Sequence, residues 1–62
     1  MNPGASARLI RLLHLAQDEA ARVWREYCSA AQRGAIERCA ELDRELAAIN
    51  LHIHVLESSI PH

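Results

Sequence analysis

The sequence contains no lysine and no phenylalanine, and among its 62 residues it has only two glycines, two prolines, two cysteines, one tryptophan and one tyrosine. Each shortage excludes a class. Two cysteines are too few for a disulfide-built secreted scaffold. So little glycine and proline does not suit a chain of short strands and tight turns. With no lysine and a net charge of -1, the chain lacks the broad basic footprint of a general nucleic-acid binder. No apolar run approaches the ~20 residues of a membrane span, and a chain this short has no room for an enclosed substrate pocket. What remains is 50% hydrophobic residues, dominated by Ala, Leu and Ile. That is the composition of one all-α domain rather than a disordered tail. A core of this size leaves only about 3–5 kcal/mol of net stability.

The order of the apolar residues defines two helices. From Leu9 they step by four and three through Leu13, Ala16, Ala20, Val23, Tyr27 and Ala30, a coiled-coil seam. Continuing this phase would bury Gly34, Glu37 and Glu41. A second seam in a new phase runs through Cys39, Leu42, Leu46, Ile49, Ile53, Leu56 and Ile60. Gly34 stands between them, as expected just past a helix C-terminus, and Pro61 is placed to end the second helix. Pairing Ala30 with Cys39, Tyr27 with Leu42, and so on to Leu9 with Ile60, keeps the paired numbers adding to 69. The sequence therefore predicts an all-α, antiparallel two-helix hairpin, coiled-coil-like. Residues 1–5 are expected to be a flexible lead-in, with Asn2 or Ser6 as helix cap. The domain itself spans 6–60, with helix 1 over 6–32, a turn at 33–35 and helix 2 over 36–59.

One seam does not use all the apolar residues. Ile10, Ala21, Trp24, Cys28 and Ala31 form a second stripe on helix 1, and Ala40 and Ala47 of helix 2 fall on the same side. Burying this stripe against a second copy would make a four-helix bundle, with Trp24 as its anchor. On the opposite side, at the open end, lie Leu12, Leu15, Ala48, Leu51 and Val55, with Arg8, Arg11 and His52 near them. Leu12, Leu15, Leu51, Val55, Arg8 and Arg11 are the residues expected to meet a different partner protein.

Candidate chemistry is sparse. His52 and His54 are two apart and point about 200° from one another on a helix, so they do not share an ion as an i, i+4 pair can. Cys39 belongs to the seam and Cys28 to the outer stripe, which predicts two reduced thiols and no bridge. Asp18–Arg22 and Arg22–Glu26 have the spacing of surface ion pairs. Glu37, Glu41 and Glu45 form an acidic stripe answered by Arg38 and Arg44. There is no phosphate-binding glycine loop, nucleophile elbow or zinc spacing. The expectation is a non-enzymatic protein with no catalytic residues, cofactor or metal.

The residues therefore point to a small protein–protein interaction module, an adaptor, small chaperone or inhibitor of a partner protein, acting as a homodimer. In design the hairpin resembles the Rop family of plasmid copy-number proteins, dimeric helical hairpins that bind RNA. That resemblance implies the alternative of an RNA- or DNA-binding regulator using the helix 1 arginines Arg8, Arg11, Arg22, Arg25 and Arg33. Without lysine or an aromatic platform, nucleic acid is the less favoured partner. Small hairpins of this kind also serve as chaperones of bacterial secretion systems and as phage-encoded inhibitors. No secretory signal pattern is visible. Residues 1–17 are free of acids, as transit peptides are, but they continue the helical pattern. The expected setting is a bacterial or phage-infected cytoplasm, with no membrane span.

Overall fold

A computed structural model describes residues 3–60. Met1, Asn2, Pro61 and His62 lie outside the described residues, and with them the expected Asn2 cap and the Pro61 stop. Two helices account for nearly all of the rest. The first, α1, spans Pro3–Gln32, and the second, α2, spans Ile36–Ser59. They pack antiparallel against each other as a rod of 49 × 14 × 13 Å, and no strand is present among the described residues.

The start of α1 corrects the predicted boundary. Residues 3–5, expected to belong to a lead-in, are helical. Proline suits the first helical turn: its fixed φ is already helical, and it has no N–H to leave unsatisfied there.

Three hydrogen bonds form the reversal. The Gly34 N–H donates to the Ala31 carbonyl at 3.1 Å, and the Ala35 N–H to the Ala30 carbonyl at 2.9 Å. This nested pair is the Schellman closure of a helix C-terminus. It requires a left-handed residue, and Gly34 supplies φ 71°, which costs a residue without Cβ nothing. Ala35 then folds back at φ -81°, ψ 77°, an inverse γ-turn, closed by the Ile36 N–H on the Gly34 carbonyl at 3.0 Å. The Ala35 carbonyl accepts the Cys39 N–H at 3.0 Å and so opens α2. Three residues thus end one helix and begin the next.

Every position of both predicted seams is buried or half-buried. Ala16, Val23, Ala30, Leu42 and Leu56 are the buried ones. Val23, Ala30 and Leu42 form the central cluster, with Tyr27, Ala35, Cys39, Leu46 and Ile49 packed on it. The core therefore sits in the half of the rod nearer the turn. Ala30 there lets α1 approach closely while Leu42 fills the space, the large-against-small pairing that close helix contact needs. At the far end of α2, the Ser58 and Ser59 hydroxyls donate to the carbonyls of His54 and Val55, each at 2.9 Å. Ile60, next to Pro61, is extended at φ -82°, ψ 125°, as a residue preceding proline prefers.

Candidate functional site

The seam leaves two flanks, and they differ in kind. On one flank the heptad positions beside the seam carry charge. Arg38 of α2 reaches across the hairpin to Glu26 of α1 at 3.1 Å, and donates to Glu41 of its own helix at 2.9 Å. Its guanidinium also lies 4.0 Å from Glu45. Arg22 joins Glu26 at 2.7 Å and Glu19 at 2.9 Å. Among the described residues, the ion pairs all run through Arg22 and Arg38. Hydrogen bonding to Glu19 foremost, with its charge and that of Glu26, holds the Arg22 guanidinium above the ordinary arginine range. Hydrogen bonding to Glu41 foremost, then Glu26, does the same for Arg38. Both groups are open to solvent, so the network adds little stability, and Arg38–Glu26 is the pair in it that joins the two helices. It corrects one expectation. Arg22 pairs with Glu19, one turn away at i, i+3, and not with Asp18. Glu19 lies beside the seam, as Glu26 does, whereas Asp18 points from the back of α1.

Towards the open end the same flank becomes apolar. Leu12, Leu15 and Ala16 of α1 face Ala48, Ile49 and His52 of α2 across an open groove of about 400 Å³, and Glu19 closes its inner end. This groove unites part of the predicted partner-binding set and divides the rest. Leu12 and Leu15 line it. Leu51 and Val55 are 65% and 53% exposed and stand outside its lining, as do Arg8 and Arg11. Helical phase accounts for Leu51 and Arg11, which occupy the backs of their helices, opposite the seam; Arg8 and Val55 fall on the groove's own flank, a heptad from Leu15 and Ala48. The groove's polar groups are thus Glu19 and His52, not the expected arginine rim.

The other flank holds the predicted stripe. Ile10, Ala21, Trp24, Ala31, Ala40 and Ala47 are exposed, and Cys28 is half-buried. Trp24 stacks on Tyr27, with ring centroids 5.5 Å apart and planes 9° from parallel. It nevertheless remains 52% exposed. The i, i+3 spacing of the two rings on one helix face was the available signal for this stack. By helical phase no arginine occupies this flank, and its acids are Asp43 and Glu57, each beside the seam one residue after a buried leucine. Cys28 and Cys39 are both free thiols, and the two remain on separate faces as expected.

Among the described residues, no three His, Cys, Asp or Glu side chains come together as a metal-binding group. No helix there is long and apolar enough to cross a membrane. In comparisons with known proteins, no family model, no curated protein and no solved structure matches the chain.

Proposed function

We propose that this protein is a non-enzymatic interaction module, a helical hairpin that pairs with a second copy into a four-helix bundle and binds a partner protein through the surface left over. One observation carries the reading: the hairpin exposes far more surface than its mass requires. A compact monomer of 6.9 kDa is expected to expose about 4,000 Å², and this chain exposes 4701 Å². The surplus is close to the ~800 Å² that each partner contributes to a standard interface. Much of it is apolar, with Trp24 on one flank and Leu12 and Leu15 on the other. The stripe around Trp24 serves the dimer. The groove of Leu12, Leu15, Ala48 and His52 serves the partner, with Leu51 and Val55 as apolar surface beside it. An adaptor, a small chaperone and an inhibitor all work in this way. The two free thiols suit a reducing compartment such as the cytoplasm.

Nucleic-acid binding through helix 1 has less support. Arg22, central to that alternative, already pairs with two carboxylates, and Arg33 donates to the Ser29 hydroxyl at 3.0 Å. Affinity capture from the native host, with mass spectrometry, tests the two readings through a pair of variants. Leu15→Asp is expected to abolish capture of a protein partner while the dimer persists. If instead Arg22→Glu abolishes binding, and the bound species is RNA released steeply by salt, the protein-binding reading is overturned.

A further inference from the structure

We infer that the two copies of the bundle lie with their turns at the same end, so that Trp24 of each hairpin seats between Ala40 and Ala47 of the other. This inference rests on the dimer proposed above and adds the orientation of its halves.

The apolar stripe does not run the length of its flank. At about 1.5 Å per residue, Trp24 lies about 15 Å from Gly34 along the rod, Cys28 about 9 Å and Ala31 about 4–5 Å. The constant register of the hairpin sets Ala40 level with Ser29, and Ala47 level with Arg22. Ala21, Trp24, Cys28, Ala31, Ala40 and Ala47 therefore all fall within about 20 Å of the turn. Beyond them the same flank presents His14, Gln17, Asn50, His54 and Glu57, all exposed, with Ile10 as the single large apolar group.

That gradient decides the orientation. If the turns lay at opposite ends of the 49 Å rod, Trp24 would meet its neighbour's Ile10, His54 and Glu57, and the alanines would face polar side chains. With the turns together, apolar stretch meets apolar stretch. In a two-fold bundle, α1 of each copy then lies beside α2 of the other. The level of Trp24 falls between those of Ala40 and Ala47, which leave a shallow notch because each ends at Cβ. A large ring against two small residues is how helices reach close approach. The flank carries no arginine to be stripped of water on contact. Asp43 is the acid of this stretch; it is exposed in the hairpin and stands beside the seam, one residue after Leu42. The ion-pair network and the groove lie on the opposite flank and stay open.

The test combines mass with distance. A nitroxide is placed at Gln32→Cys in a chain carrying Cys28→Ser and Cys39→Ser. Gln32 is exposed, ends α1 and points away from both flanks. Light scattering gives the mass of the same sample, and pulsed electron resonance the separation of the labels. The expected result is a dimer with labels at roughly 35 Å or less, the width of a bundle whose axes are 8–10 Å apart plus the label arms. A dimer with labels beyond about 45 Å, the spacing imposed by turns at opposite ends, overturns the orientation but leaves the dimer standing. A monomer overturns both. The unmodified chain gives a second measurement in a mixed-isotope sample. Intermolecular nuclear Overhauser contacts from the Trp24 indole to the Ala40 and Ala47 methyls are expected, and contacts to Ile10 or His54 instead overturn the inference.

Discussion

Leu42→Ala is the sharpest test of where stability resides. Leu42 is 1% exposed and packs with Val23 and Ala30. The substitution removes three carbons from this site. At about 0.8 kcal/mol per buried methylene, that alone loses about 2.4 kcal/mol, and the cavity left behind raises the cost towards the 2–5 kcal/mol measured for buried leucines. Ala30, already minimal, cannot move a longer side chain into the gap. A domain of this size holds only about 3–5 kcal/mol, so at about 1.4 kcal/mol per decade the ratio of folded to unfolded chain falls roughly a hundredfold. Leu51→Ala is the matched control. It deletes the same three carbons at a residue 65% exposed, and is expected to change stability by less than about 0.5 kcal/mol. Urea titrations followed by far-ultraviolet circular dichroism, at one protein concentration, measure both. Equal midpoints for the two variants would refute the assignment of the core to the turn half.

Gly34→Ala isolates the turn. Nothing lies within 4 Å of a methyl group added there, so the cost is the left-handed backbone alone, about 1–2 kcal/mol, and Gly34→Asn should cost less. A neutral Gly34→Ala in the same titration would mean that the turn does not depend on the positive φ. Trp24→Ala is expected to convert the proposed dimer to a weakly folded monomer by light scattering, since the ring is the proposed anchor of the stripe; an unchanged mass counts against that face. Arg38→Gln removes the ion pair that crosses the hairpin. Its loss of thermal stability is expected to be small at low salt and to vanish at high salt, and a salt-independent loss would mean that Arg38 acts through packing.

Much of this fold is legible in the residue order because a coiled-coil seam is a one-dimensional pattern. The phase break after Ala30, and Gly34 within it, locate the reversal to within a residue, since only glycine enters the left-handed region freely. The stripe around Trp24 follows from the same phase. The groove does not. Its lining combines Leu12, Leu15 and Glu19 with Ala48, Ile49 and His52, and no single-helix periodicity announces which of these close on one another. Leu51 shares hydrophobicity and level along the rod with that patch, but neither reports the direction of a side chain around its helix. The partner of Arg22 was equally open from spacing, because i−3 and i−4 both lie within its reach and contact depends on which acid stands beside the seam.

The layout of the hairpin also sets the order in which its contacts can form and break. Closing Ala30 on Cys39 ties off a loop of nine residues, whereas closing Leu9 on Ile60 ties off fifty-one. Loop-closure entropy favours the short loop, so the hairpin should nucleate at Gly34 and zip towards its termini, with the low contact order of a fast folder. The same gradient runs in reverse on opening. The layer furthest from the turn, Leu9 with Ile60, is only half-buried, and local opening begins where burial is thinnest. The groove between Leu12 and His52 belongs to that end. A partner seated there would clamp the two helices where they separate most readily. Its binding energy would then appear in hydrogen exchange as slower opening of the terminal turns, while the amides around Leu42 kept their protection from the core.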